Sequence, residues 1–266
     1  MPDAARAGAG ATPAFDAAIF DMDGVVTQTA AVHSRAWKRM FDEFLHARAE
    51  RLDEPFVEFT HERDYLCCVD GRPRLEGIEN FLRSRGIALP FGSPGDPVER
   101  ETVCGLGHRK NAVFNRLIET DGVGLYASTL ALIDEFARHG IRIGLATSSR
   151  NAAVVLDRAG IADRFAATID GLVAEARGLK GKPAPDIFVA AARDLGVASA
   201  RAIVIEDAVA GVQAAARGGF GLVIGIAREN NSAGLRASGA DLVVRDLAAT
   251  SLEEISRLVR ARRAGV

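Results

Sequence analysis

From Gly122 onward, short apolar segments alternate with segments of helical spacing, and this alternation constrains the fold more than any other feature of the chain. The apolar segments 141–146 and 202–205 are typical of buried strands, and the intervening segments are typical of amphipathic helices. Strands that alternate with helices pair in parallel and are covered on both faces. The sequence therefore predicts an α/β fold with a Rossmann-like, doubly wound parallel sheet.

An earlier apolar segment, 17–20, predicts a further buried strand that ends at Asp21. Asp21 and Asp23 are two residues apart, so both side chains face one side if the chain remains extended. Two carboxylates that close repel each other, and a cation or a shared proton relieves the repulsion. Taken alone, an Asp-Met-Asp-Gly segment is more often only a polar turn that caps a strand.

The segment that follows differs from the rest of the chain. Apolar residues recur at helical spacing over 30–45, which predicts an amphipathic helix. Residues 50–120 contain short helical pieces interrupted by proline and glycine, without visible alternation of strands and helices. The predicted domains are a loose tail at 1–14, a core formed by 15–29 and 122–266, and a mostly helical cap formed by 30–121.

Composition limits the possible functions. The chain has 266 residues, of which 48% are hydrophobic and 26% charged, and this excludes a disordered chain. No long uninterrupted apolar segment predicts a membrane span, and a net charge of −2 provides no general attraction to nucleic acid. Three cysteines and an N-terminus without an apolar signal segment favour free thiols in the cytoplasm. We therefore expect a cytoplasmic monomer without nucleic-acid or membrane partners, in which any anion binds in a local pocket.

Polar residues follow the predicted strands where each one ends. Thr147 and Ser148 follow segment 141–146, and Glu206 and Asp207 follow segment 202–205, while prolines on both sides of Ala184 stiffen the chain next to Lys182. Ligands of open α/β sheets bind at the carboxyl ends of the strands. Acids grouped there with one lysine suit a divalent cation among oxygen ligands, with a phosphoryl group between the metal and the lysine.

The predicted cap contains two basic segments. A turn at 70–74 is rich in arginine, and the glycine-flanked segment 105–111 is predicted to open a helix, so either one could hold an anion. His33 and Trp37 are four residues apart and share one helix face. On spacing alone, packing at the edge of a core explains these two side chains as well as a ligand site does.

Four segments carry a resemblance to a known family: DMDGV at 21–25, ATSS at 146–149, GKPAPD at 181–186 and IEDA at 205–208. In order and residue type they resemble the four motifs of the haloacid dehalogenase superfamily of phosphotransferases. The segment DGVVTQTAAVHSRAWK resembles the β-phosphoglucomutase family within it. The chain departs from that family at Gln28, where Asp is usual, at Thr147, where Ser is more common, and around 89–98, where the cap has extra sequence.

The resemblance implies roles for the core residues. Asp21 would form an aspartyl phosphate, and Asp23 would act as general acid and base, a task that favours a carboxyl with a raised pKa. Mg²⁺ would be held by the metal-ligand candidates, and the transferring phosphoryl group by a second set. The metal-ligand candidates are Asp21, the main-chain carbonyl of Asp23, Asp207 and Glu206, and the phosphoryl-binding set is Thr147, Ser148 and Lys182.

The resemblance also implies roles for the cap. Arg74 and Lys110 would bind a second, non-transferring phosphate, which a mutase needs in order to hold a bisphosphate in two orientations. His33, with Trp37 on the same helix, would couple cap closure to the position of Asp23.

The predicted function is a Mg²⁺-dependent phosphotransferase acting on a small phosphorylated sugar, with β-phosphoglucomutase as the first interpretation. A sugar phosphate phosphatase is the alternative, because only the acceptor of the phosphoryl group, sugar or water, separates the two. A non-catalytic sugar phosphate sensor, or a partner module for a disaccharide-processing enzyme, is a third interpretation. Dehalogenation is disfavoured, because that chemistry has no need of the predicted metal site.

Overall fold

The computed structural model describes residues 13–265. Within them, all neighbouring strands of a central six-stranded sheet run parallel. The strands are β1 (Ala17–Phe20), β2 (Arg142–Ala146), β3 (Ala167–Ile169), β4 (Ala202–Glu206), β5 (Leu222–Ile226) and β6 (Leu242–Val244). Their order in the sheet is β3-β2-β1-β4-β5-β6, which places the first strand in the middle.

Helices connect these strands. They are α1 (Ala30–Leu52), α2 (Arg74–Ser84), α3 (Val103–Asp121), α4 (Ala127–Arg138), α5 (Ala152–Arg158), α6 (Gly171–Ala176), α7 (Asp186–Asp194), α8 (Val209–Arg217), α9 (Ser232–Ala237) and α10 (Leu252–Ala264). A π-helix spans His61–Val69. Helix α1 continues beyond the predicted end at residue 45, and the short helices α6 and α9 were not predicted.

Both faces of the sheet are buried. Ala18 and Phe20 of β1 pack into one apolar cluster with residues of α4, α5 and α10, while Ala17 and Ile19 pack into another with residues of α7 and α8. A strand buried on both faces requires apolar side chains at consecutive positions, which explains the unbroken apolar segment at 17–20. The structure confirms the predicted α/β class and the doubly wound parallel sheet.

The segment between β1 and β2 has a core of its own. It is helical throughout its regular structure, and α1 packs along α3. Its centre is formed by stacked aromatic rings, with the centroid of Phe41 lying 4.0 Å from that of Phe81 and 5.1 Å from that of Phe59. At the base of this layer, Phe114 instead joins the apolar cluster of the sheet. The helical cap therefore has a separate apolar centre and rests directly on the core.

The structure also bears on the predicted helix start at 105–111 and on the predicted tail at 1–14. Segment 105–111 does not open a helix, because α3 already begins at Val103 and the Thr102 hydroxyl caps the Gly105 N–H at 3.0 Å. Of the predicted tail, residues 1–12 lie outside the described part of the chain, and Ala14 is buried. In the part of the chain that the structure describes, each helix is too short or too polar to cross a membrane.

Candidate active site

The strand ends meet at the middle of the sheet. Phe20 of β1 is in register with Leu145 of β2 on one side and Ile205 of β4 on the other, and the Asp21 N–H donates to the Ile205 carbonyl at 3.0 Å. A cavity of about 70 Å³ lies over these ends, between core and cap. All predicted site residues line it except Lys182 and Glu206, which are buried beneath it. Those that line it are Asp21, Asp23, His33, Trp37, Arg74, Lys110, Thr147, Ser148 and Asp207.

Lys182 lies between two carboxylates. Its side chain is 1% exposed, and its Nζ donates to Asp21 Oδ1 and, at 2.6 Å, to Glu206 Oε1. Burial acts to lower the pKa of Lys182, but the charges of Asp21 and Glu206 outweigh burial and raise it. The ammonium group therefore remains charged and fixes the position of the Asp21 carboxylate.

Glu206 is fully buried, and both of its carboxylate oxygens are engaged. Besides the contact of Oε1 with Lys182, Oε2 accepts the Ala208 N–H at 2.7 Å. A Cβ atom at position 211 would lie 1.7 Å from Oε1, so the close approach of α8 depends on Gly211. In this arrangement Glu206 orients Lys182 and the turn after β4.

The other core acids carry excess negative charge. Burial raises the pKa of Asp21 well above its usual value, with Glu206 and Asp23 adding to this effect against the opposing charge of Lys182. Burial and the charges of Glu206, Asp70 and Asp21 likewise raise the pKa of Asp207. One lysine does not neutralise this group, so its members favour a bound proton or a cation.

Mg²⁺ fits this donor set. A Cβ at Gly24, where φ is +86°, would lie 1.8 Å from Asp207 Oδ2, so the turn after β1 lies directly against that carboxylate. No group of three or more His, Cys, Asp or Glu side chains in residues 13–265 is arranged to hold a metal by itself. Mg²⁺ is usually bound through one or two carboxylates, with water and substrate phosphate completing its shell. Asp21, Asp207 and the backbone of the Asp23 turn suit that mode.

Asp23 has a different environment. Its Oδ1 accepts the Thr29 hydroxyl and lies 3.3 Å from His33 Nε2. Burial acts to raise the pKa of Asp23, but the neighbouring His33 imidazole and Thr29 hydroxyl outweigh burial, and the pKa is lowered. The expectation of a raised pKa at Asp23 is therefore wrong, because the sequence did not reveal the donors placed around this carboxylate.

Lys110 is turned toward His33. Its Nζ lies 2.5 Å from His33 Nδ1, and it also sits 4.9 Å from the ring centroid of Trp37 and 4.8 Å from that of Phe114. Burial and the charge of Arg74 lower the pKa of Lys110 well below its usual value. Burial and the Lys110 charge also lower the pKa of His33, with Asp23 opposing them. The lysine, the imidazole and Asp23 thus form a continuous polar chain from cap to core.

A second group of donors surrounds Arg74. Its Nη2 donates to Asn111 Oδ1 at 2.8 Å, and Asn151 Nδ2 donates to the same oxygen at 2.9 Å. Burial and the charge of Arg150 lower the pKa of Arg74 to about 10. Arg150 and Asn151 also line the cavity and were missed at the sequence level. Their position directly after the strand-end segment 146–149 was the signal that could have found them.

Thr147 and Ser148 differ in their hydrogen bonds. Thr147 is buried and its Oγ1 accepts the Ser149 N–H at 3.1 Å, whereas the Ser148 hydroxyl donates to the Gly71 carbonyl of the cap at 2.9 Å. Ser148 therefore joins core to cap in this structure. Asp70, which also lines the cavity, was missed as well, and burial together with the Glu206 charge raises its pKa to about 7.

Comparisons with known proteins agree with this geometry. A family model of haloacid dehalogenase-like hydrolases matches residues 15–219. The chain therefore belongs to the haloacid dehalogenase-like hydrolase family. It is an enzyme of the phosphotransferase or phosphatase type.

Several relatives within this family are similar to the chain in sequence or structure. The chain is 44% identical to a beta-phosphoglucomutase of Mycobacterium bovis over 236 residues, which covers 87% of this chain and 90% of the relative. The crystal structure of beta-phosphoglucomutase from Clostridium difficile has a TM-score of 0.73 and 25% identity, covering 94% and 99% of the two chains. CbbY from Rhodobacter sphaeroides, solved in complex with phosphate, has a TM-score of 0.63 and 25% identity, covering 88% and 95%.

Proposed function

We propose that this protein is a Mg²⁺-dependent β-phosphoglucomutase that converts β-glucose 1-phosphate to glucose 6-phosphate through a bisphosphate. The observation that carries the proposal is a single cavity with two unlike ends. Asp21 and Asp207, with Lys182 buried beneath them, form what we call the core end, and Arg74 of the cap with Arg150 from the segment after β2 forms the cap end. A substrate with one phosphate at each end matches this distribution of charge.

At the core end, Asp21 is the nucleophile. Lys182 holds one of its oxygens, which leaves the other free to attack phosphorus and form an aspartyl phosphate. Asp21, Asp207 and the main-chain carbonyl of Asp23 would hold Mg²⁺, which when bound offsets the charge of the carboxylates and the phosphoryl oxygens. Thr147 and Lys182 bind the transferring phosphoryl group.

Proton transfer is assigned to Asp23. It removes the proton of the incoming hydroxyl group and then returns that proton to the departing sugar oxygen. Its lowered pKa supports the first task directly, since a carboxylate is the basic form. His33 and Lys110 position Asp23 through the contacts at 3.3 Å and 2.5 Å.

At the cap end, we propose that Arg74, Arg150 and Asn151 bind the phosphate that is not transferred. Lys110 was expected to bind this phosphate, but its Nζ contacts His33. We therefore assign Lys110 to positioning His33 instead. Trp37 and Phe114 enclose the Lys110 side chain. We further propose that the enzyme acts as a cytoplasmic monomer on a small phosphorylated sugar.

The test is incubation with β-glucose 1-phosphate, Mg²⁺ and a trace of glucose 1,6-bisphosphate. Formation of glucose 6-phosphate supports the mutase, whereas release of inorganic phosphate alone identifies a phosphatase. No Mg²⁺-dependent turnover of any phosphate ester would contradict both activities and indicate a sensor. Asp21→Asn protein treated in parallel is the control for contaminating enzymes.

A further inference from the structure

Asp70 lines the catalytic cavity from the cap side, where its charge acts on Asp207 of the core, and no role has been assigned to it above. It lines the same cavity as Asp21 and Asp23, and it also lines a neighbouring cavity of about 170 Å³. The wall shared by these two cavities also contains Tyr65 and Ala30 of the cap and Asp207 of the core.

The backbone holds Asp70 rigidly. It follows the π-helix His61–Val69, and its N–H donates to the Tyr65 carbonyl at 3.0 Å. Helices of this type are rare and are frequent at functional sites. The Tyr65 phenol also interacts with the Asp70 carboxyl group, and this interaction acts to lower the pKa of Asp70 against the effect of burial.

The loop that begins at Asp70 is docked on the core. The carbonyl of Gly71 accepts the Ser148 hydroxyl at 2.9 Å. A Cβ at Gly71 would lie 2.8 Å from the Ala208 side chain, and a Cβ at Gly181 would lie 2.2 Å from Pro73 Cγ. These close approaches fix Asp70 relative to the ends of β2 and β4.

A carboxylate in this place needs a partner that donates hydrogen bonds. It has about four acceptor positions, more than the single phenol hydroxyl of the neighbouring Tyr65 can fill. A phosphate group brings only acceptors and negative charge, so it is repelled. Neighbouring hydroxyl groups of a sugar ring supply donors, and charge-assisted bonds to a carboxylate are among the stronger hydrogen bonds in proteins.

We propose that Asp70 is a specificity-determining residue that accepts hydrogen bonds from ring hydroxyl groups of the sugar, and that Tyr65 positions it. This inference rests on the proposed function, because it places the sugar in the same cavity. It explains how one cavity can reject a simple phosphate ester without ring hydroxyls while still binding phosphate at its ends.

The test is equilibrium binding to the intact protein with Mg²⁺, measured by calorimetry. The probes are the non-hydrolysable phosphonate of β-glucose 1-phosphate, its 2-, 3- and 4-deoxy analogues, and inorganic phosphate. We expect Asp70→Asn to weaken binding of the glucose phosphonate about 10- to 100-fold. At least one deoxy analogue should lose less than about 3-fold, because the hydroxyl that Asp70 binds is already missing.

Controls separate this role from others. Tyr65→Phe should show the same pattern with a smaller loss, and it keeps the test decisive if Asp70→Asn folds poorly. Glu62→Gln, on an exposed position of the same π-helix, should leave the binding pattern as in the wild type. A tenfold loss of Mg²⁺ affinity in Asp70→Asn would instead assign the residue to the metal and overturn the proposal.

The remaining outcomes distinguish the two proposals. Equal losses for glucose phosphonate, every deoxy analogue and inorganic phosphate would overturn the role of Asp70 alone. Binding with the expected pattern but without turnover would remove the mutase and leave the role of Asp70 intact. Failure of the wild-type protein to bind the glucose phosphonate would refute both.

Discussion

The cavity has two walls of opposite charge: a core wall that contains Asp21 and Asp207, and a cap wall that contains Lys110 and Arg74. On the core side, burial raises the pKa values of Asp21 and Asp207. On the cap side, burial lowers the pKa values of Lys110 and Arg74. Each wall therefore holds like charges that its own partners do not fully neutralise. A cation at the core wall and an anion at the cap wall would relieve both, and the proposed Mg²⁺ and phosphorylated sugar carry these charges.

The nucleophile provides the largest expected effect. Asp21→Asn should lower turnover of β-glucose 1-phosphate by at least about 10⁴-fold, because Glu206, the other carboxylate that Lys182 holds, has both oxygens engaged and does not line the cavity. The same substitution removes one of the mutually repelling acids, so thermal stability without Mg²⁺ should not fall. A coupled assay for glucose 6-phosphate and a thermal melt check the two results. Retention of more than about 1% of activity would contradict the assignment of Asp21.

We expect a large loss of stability when Lys182, the cation beneath the core wall, is removed. Lys182→Met leaves Asp21 and Glu206 buried without their partner, and this should cost about 3–5 kcal/mol of unfolding free energy. Urea unfolding followed by circular dichroism measures the loss. Lys180→Met, at an exposed position nearby, is the matched control and should change stability by less than about 0.5 kcal/mol.

The pH dependence of stability should follow the raised acids. A carboxyl whose folded pKa exceeds its unfolded pKa binds its proton more tightly when folded, so stability falls as pH rises between the two values. For Asp70 that window runs from the usual aspartate pKa of 3.8 to about 7. Without Mg²⁺, Asp70→Asn should remove a decrease on the order of 1–3 kcal/mol between pH 4 and pH 7. Identical pH profiles of the two proteins would contradict the raised pKa.

The smallest stability change is expected at the cap wall. There a lysine-to-methionine substitution should leave stability unchanged or raise it, whereas in the core it should lower stability. Lys110→Met replaces a buried ammonium beside Arg74 with an apolar chain against Trp37 and Phe114. Stability should stay within about 1 kcal/mol of the wild type or rise, while turnover falls because His33 and Asp23 lose their support. A loss as large as that of Lys182→Met would show that the two walls do not differ.

Much of the core wall followed from local pattern. The apolar segments that lead to Asp21, Thr147 and Glu206 form neighbouring strands of the parallel sheet. The carboxyl ends of neighbouring parallel strands meet at one edge of the sheet. The segments predicted as strands and the doubly wound topology depend on short-range alternation, which a single sequence displays. Their convergence was therefore predictable without coordinates.

The cap wall was less predictable. Lys110 was expected to bind a phosphate, yet its nitrogen contacts His33, which lies 77 positions earlier in the chain. Asp70 of the cap lines the cavity without having been predicted, and so do Arg150 and Asn151, which the core contributes after β2. These contacts depend on how α1 and α3 pack and on how the cap rests on the sheet. Helical spacing specifies the buried face of each helix but not which residue of another helix it meets.

By itself, the sequence determined the parallel sheet, the order of its polar strand ends and the family to which the chain belongs. Only the tertiary structure decided how charge is distributed across the cavity, including the lowered pKa of Asp23 and the engagement of both Glu206 oxygens. The physical reason is that buried parallel strands and amphipathic helices are recognised from the local order of apolar and polar residues. The pKa of a buried group depends instead on every charge and donor within a few ångströms, whatever its distance along the chain.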